Sequence, residues 1–181
     1  MADNYKEELE SPEGCQVRME GKTLTVKGEK GEVSKDFFNP AIDLDVKDNK
    51  IIFTARRYTK KSKKLINTFK AHIKNLFKGV TEGHLYKLKI CSGHFPMNVS
   101  VSGDAFQIKN FIGEKIPRTL KVLEGTSVKV DGSEVIVESS NKEKAGRMAS
   151  AIEQLTRRPG FDTRIFQDGI YITEKDGKKI K

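Results

Sequence analysis

With 181 residues, 36% hydrophobic, 33% charged and no tryptophan, the chain has apolar material for one large or two small domains with a modest core. Two cysteines, a polar start and no apolar run of membrane-spanning length argue against a disulfide-stapled secreted scaffold, a leader and a membrane segment, and favour a reducing, cytosolic setting. The formal net charge of +9 and a pI near 9.4 point to an anionic partner, nucleic acid first, with plain basic solubility as the alternative.

In chain order, the acidic stretch Asp3 to Glu13 lacks apolar periodicity and is expected to be a mobile tail. Val17 to Lys27 alternates apolar and polar residues around Gly21, the pattern of a half-buried β-hairpin. KGEKGEV follows, Lys27 to Val33, and then a second hairpin from Leu44 to Phe53 turning at Asp48-Asn49. Lys63 to Lys78 switches to helical spacing, with Leu65, Ile66, Phe69, Ile73, Leu76 and Phe77 on one stripe and Gly79 as its expected stop. Leu85 to Cys91 is expected as a strand that closes this first run of elements, although the boundary between the two domains is placed before it, at 83/84.

The pattern then repeats. Placing Gly21 on Gly103 aligns Val17–Lys27 with Val99–Lys109, and Leu44–Phe53 aligns with Val128–Val137 around the turn Asp131-Gly132. Ser140-x-x-Glu143 reads as a capping box opening a helix through Ala145, Met148, Ala149, Ile152 and Leu155, which stops before Pro159. Ile170 to Thr173 is the matching closing strand. The expected fold is α+β, a tandem duplication of a small domain, each copy an antiparallel sheet packed with one main helix, over residues 1–83 and 84–181. KGEKGEV and KNFIGEK (Lys109 to Lys115) recur at equivalent places, and neither has the spacing of a phosphate-cradling Walker loop. Gly31 and Gly113 are therefore read as structural turn residues, where glycine supplies a positive φ at low cost.

Charge is uneven: Thr54 to Ile90 carries eleven Lys or Arg against one acid, Glu82, and Lys142 to Lys181 forms a second basic region. Catalytic signatures are missing. Cys91-x-x-His94 has no second pair to complete a zinc site, and the histidines His72, His84 and His94 lack ligand spacing. Glu32 and Glu114 have no sequence-near partner for acid–base work. No metal, cofactor, small-molecule substrate or enzyme activity is expected.

Five stretches carry a resemblance: VKGEKGEV (Val26 to Val33), FKGVTEGHLYKLKI (Phe77 to Ile90), HFPMNV (His94 to Val99), NFIGEK (Asn110 to Lys115) and RIFQDGIYITEK (Arg164 to Lys175). Together they resemble the large-subunit ribosomal protein family called L-six in bacteria and archaea and L-nine in eukaryotes, in its archaeal and eukaryotic branch. Two positions depart from that family's pattern: Glu29 stands where proline is common in the first turn, and Phe161 where a basic residue is usual.

The resemblance implies a non-catalytic protein of the cytoplasmic large subunit that binds 23S-type rRNA beside the sarcin–ricin loop. Its neighbours would be ribosomal proteins at the stalk base, with translation elongation factors in transient proximity. It also implies that the second domain is the main RNA anchor, although the richest basic segment is Arg56 to Lys78 in the first. Direct contacts are expected from Lys109, Asn110, Lys115, Arg118, Arg157, Arg158 and Arg164, since guanidinium groups suit paired phosphate oxygens, with Phe111 or Phe161 packing on a sugar or base. Two alternatives stay open at this point: an RNA-binding regulatory module outside the ribosome, and an enzyme acting on nucleic acid.

Overall fold

A computed structural model describes residues 5–47 and 49–180, and within it the chain divides into two compact units, Met1–Gly83 and His84–Lys181. The first unit runs β1 (Tyr5–Glu10), β2 (Gln16–Glu20), β3 (Thr23–Gly28), β4 (Gly31–Asp36), β5 (Ile42–Lys47), β6 (Lys50–Ala55) and α1 (Lys60–Thr81). The second runs β7 (His84–Cys91), β8 (Asn98–Ser102), β9 (Ala105–Lys109), a 3-10 turn (Phe111–Gly113), β10 (Arg118–Lys121), β11 (Ser127–Asp131), β12 (Glu134–Ser139), α2 (Lys142–Leu155), β13 (Gly169–Lys175) and β14 (Lys178–Lys179).

The duplication is visible in the strand pairing. Met19 faces Leu24 across β2 and β3 as Val101 faces Phe106 across β8 and β9. Leu44 faces Phe53 across β5 and β6 as Val128 faces Val137 across β11 and β12. Each unit thus has an antiparallel meander, β2-β3-β4 or β8-β9-β10, beside a second sheet, β1-β6-β5 or β11-β12-β7-β13-β14. One face of each sheet supplies the core: Leu24, Val26, Ile51 and Phe53 against Ile66, Ile73 and Val80 of α1 in the first unit. In the second, Leu88, Phe106, Ile108 and Val137 meet Met148 and Ile152 of α2. The α+β tandem architecture stands as expected.

Several details differ. Residues Tyr5–Glu10 of the expected mobile tail form β1, paired along its length with β6 (Asp3 lies outside the described residues). Only Tyr5 and Leu9 mark its inner face as apolar, because Glu7 shares that face and is bonded there by Lys70 and the Tyr5 hydroxyl. Third strands β4 and β10 extend the first hairpin of each unit. The strand at 84–91 does not close the first unit; it is the middle strand of the second unit's sheet, between β12 and β13.

Cap chemistry also moves the helix ends. α1 begins earlier than its apolar stripe because Thr59 and Ser62 exchange side-chain-to-backbone bonds, Ser62 N–H to Thr59 Oγ1 at 3.1 Å and Thr59 N–H to Ser62 Oγ at 2.9 Å. It runs through Gly79 and ends at Thr81. The Ser140–Glu143 box does not form: Asn141 is the N-cap, accepting from the N–H groups of Glu143 (2.8 Å) and Lys144 (3.3 Å). Asp48 of the expected Asp48-Asn49 turn lies outside the described residues, while Asn49 has φ +63°.

Gly28 and Gly31 close the β3–β4 hairpin against the end of α1, where Lys30 N–H donates to Val80 O at 2.9 Å. A Cβ on Gly28 would stand 2.8 Å from that same carbonyl oxygen and 2.8 Å from Val80 Cγ2, so the approach requires glycine. Gly28→Ala is expected to destabilise the chain by about 1–3 kcal/mol in urea denaturation, because a helix backbone cannot give way as a side chain can. Gly93→Ala, at ordinary φ with open space around it, should stay within about 0.5 kcal/mol.

Candidate nucleic-acid interface

Three connections of the second unit meet: 92–97 after β7, 110–117 after β9, and 156–168 after α2. Asp168 ties the first to the third. Its side chain is 4% exposed, and its Oδ1 accepts the N–H groups of Gly93 (2.7 Å) and His94 (2.9 Å), while Oδ2 lies 2.5 Å from His94 Nδ1. Burial alone pushes such a carboxyl up, but the bonds from His94 and Gly93 outweigh it and hold Asp168 below the usual carboxylate range. The His94 ring stacks on Phe166 (centroids 4.8 Å), and Phe166 meets Phe161 edge-on at 4.9 Å.

Arg118 ties the second connection to α2. Its Nε and Nη2 donate to the two carboxylate oxygens of Glu114 at 2.8 and 2.6 Å, and Nη1 donates to Leu155 O at 2.6 Å, one of the carbonyls an α-helix leaves open at its end. The guanidinium also lies 4.4 Å from the centre of the Phe111 ring. Arg118 holds Glu114 below its ordinary range through these hydrogen bonds. The turn between is tight: Asn110, Ile112 and Gly113 have φ of +59°, +45° and +75°. For the β-branched Ile112 this left-handed backbone carries strain on the order of 1–3 kcal/mol.

The seven residues selected from the sequence fall into distinct roles. Lys109, Lys115 and Arg157 are exposed. Arg164, its side chain 88% exposed, grips Asp162 through Nε and Nη2 at 3.0 and 2.7 Å. Asn110 is exposed and donates to Pro96 O at 3.0 Å, joining the first two connections. Arg158 is half-buried, 4.3 Å from the centre of the Phe161 ring and 3.9 Å from Glu114. Arg118 departs from the expectation, since its donors are engaged inside the fold and it acts as a clasp. Phe111 departs too: it is 1% exposed, a core residue with no face for a base. Gly31 (φ +121°) ends a two-residue hairpin turn, while Gly113 sits in a longer connection with its α-carbon turned toward the Phe95 ring.

Composition and charge did not single out the exposed apolar residues that stand among these cations: Phe95, Ile116 and Ile165 are 45%, 81% and 64% exposed, beside Phe161 at 36%. Their signal was available as isolated large apolar residues in turn segments, outside any strand or helix period. Ile112, Pro159, Phe161, Phe166 and Tyr171, with Asp168, Arg157 and Arg158, line a cleft of about 530 Å³. The surface combines cations, amide donors and aromatic faces, the groups that contact phosphate, sugar and unstacked bases. Among the described residues no cluster of three or more potential metal ligands occurs, and His94 is held by Asp168 instead of pairing with Cys91.

Because Glu114 and Arg118 are three-quarters buried and doubly bonded, Glu114→Gln is expected to cost about 1–2 kcal/mol, above the level of an exposed pair. Its pKa is depressed by folding, so the pair's contribution is full above the ordinary carboxylate pKa and lost as pH falls through the folded value. Urea midpoints of wild type and variant should therefore differ at pH 7 and converge toward pH 3. A constant gap would mean that Glu114 acts by shape, not charge.

A family model described as Ribosomal protein L6 matches the chain twice, over residues 11–83 and 95–169, once in each unit. A large ribosomal subunit protein uL6 from Methanococcus vannielii is 44% identical over 175 residues, covering 97% of this chain and 96% of the relative. Another uL6, from Methanosarcina mazei, is 45% identical over 167 residues, covering 92% of this chain and 95% of the relative. With both repeats matched and nearly full-length relatives at this identity, the chain belongs to the ribosomal protein L6 family.

Proposed function

We propose that the chain is a structural, non-catalytic constituent of the large subunit of the cytoplasmic ribosome, and that it grips large-subunit rRNA with the connections at 92–97, 110–117 and 156–168. Family membership supports the first part. The observation that carries the second is the exposure of Lys109 at the end of β9 and of Lys115, Arg157, Arg164, Phe95 and Ile116 on connections braced by Asp168 and Arg118. A braced loop loses little conformational freedom on binding, so more of each phosphate contact appears as affinity. In this reading Asn110 and Arg158 join the contact set, and Arg118 shapes it from beneath. The site on the subunit lies beside the sarcin–ricin loop and the stalk base, with stalk-base proteins as neighbours and elongation factors passing nearby.

Neutralising phosphates releases counterions, so log K should fall with log salt by about 0.7–0.9 per contact. Binding of the full chain to an rRNA fragment spanning the sarcin–ricin loop should show a slope of about three or more. Replacing Lys109, Lys115, Arg157 and Arg164 together by Gln should lower that slope by about three. An unchanged slope in a folded variant would remove these loops from the interface.

A further inference from the structure

α1 of the first unit carries an exposed basic face that takes no part in the grip proposed above. The helix has no Asp or Glu over its 22 residues, and its buried side, Ile66, Ile73, Leu76 and Phe77, leaves the opposite side to solvent. That outer side has an ordered composition. Lys60, Lys63 and Lys64 are exposed at one end and Lys74 at the other, and between them stand the small, uncharged Asn67, Thr68 and Ala71, also exposed. Lys64 and Lys74 are about 15 Å apart along the axis.

This arrangement works against the helix itself. Lys60, Lys61, Lys63 and Lys64 occupy its beginning, where the macrodipole is positive and repels cations, and no acidic residue offsets them in the first turn. Among the described residues Lys60, Lys61, Lys64 and Lys74 enter no ion pair. A helix stabilised for its own sake would carry Glu–Lys pairs at i and i+4.

We infer that this face is a second RNA-binding surface, one that lies across the minor groove of an A-form duplex. The lysine groups would meet phosphates on the two sides of the groove, while Asn67, Thr68 and Ala71 allow the helix to come close to the 2′-hydroxyls. Double-stranded RNA is read in this way, by shape, phosphates and 2′-hydroxyls across a wide, shallow minor groove. A protein partner fits less well, since protein interfaces are enriched in aromatic residues and Arg and depleted in Lys, and this face has lysines without either. The surface would hold duplex without regard to sequence, independently of the grip proposed for the second unit.

The test uses the full chain and a plain RNA duplex of about 20 base pairs with no ribosomal sequence. Lysine acetylation read by mass spectrometry should slow at Lys60, Lys63, Lys64 and Lys74 when duplex is added, while exposed Lys47 reacts as before. Replacing those four lysines by Gln should cut duplex affinity tenfold or more and lower its salt slope by about three. Ala71→Trp, which keeps the charge but fills the saddle, should weaken duplex binding several-fold, with helicity checked by circular dichroism. The inference is overturned if duplex leaves α1 acetylation unchanged. It is equally overturned if poly-glutamate protects α1 better than duplex does, or if Ala71→Trp binds as tightly as wild type. Loss of the rRNA-fragment grip through the second unit's variants would leave all these readouts intact.

Discussion

A carboxylate that is 4% exposed needs its hydrogen bonds, and Asp168 finds three of them on a connection more than seventy residues earlier in the chain. That requirement organises the second unit. It sets where β13 begins, fixes the Ser92–Met97 connection over it, and orients His94 so that Phe166 stacks on its ring and Phe161 meets Phe166 edge-on. The Glu114–Arg118 clasp does the same for the second connection by closing on the end of α2. Both braces place charge inside, leaving Lys109, Lys115 and Arg157 turned outward.

The two units show how one scaffold diverges. Between β3 and β4 the first copy has a two-residue turn pressed on Val80; between β9 and β10 the second has eight residues, three of them at positive φ. The helices diverge in charge. α2 carries Glu143 in its first turn and spends Glu153 on the backbone of Ile172, whereas α1 keeps lysine alone. Loop elaboration in one copy and helix charge in the other are independent departures from the shared scaffold.

Periodicity made much of the fold legible. The alternation around Gly21 and Gly103 and the helical stripes of Ile66–Phe77 and Ala145–Ile152 are burial patterns, and burial is local enough to read from spacing. β1 was hidden because Glu7 occupies an inward position, satisfied by Lys70 from far along the chain. β7 was read as a strand but assigned to the wrong sheet, since strand partners are a tertiary fact. At the candidate interface, basic residues in turns were easy to nominate and hard to sort. Glu114, four residues before Arg118, was a readable partner for it, and the structure shows that pair, but the Leu155 carbonyl that accepts from its Nη1 is 37 residues away.

The position of β7 has a consequence for synthesis on the ribosome. Residues 84–91 leave the exit tunnel well before their partners in β12 and β13, and the 92–97 connection waits for Asp168. The first unit can complete its sheets from residues already made, while the second holds a central strand with one edge unpaired until β13 emerges. A chain released early therefore lacks the bracing of the 92–97 connection, which only a nearly finished polypeptide can supply.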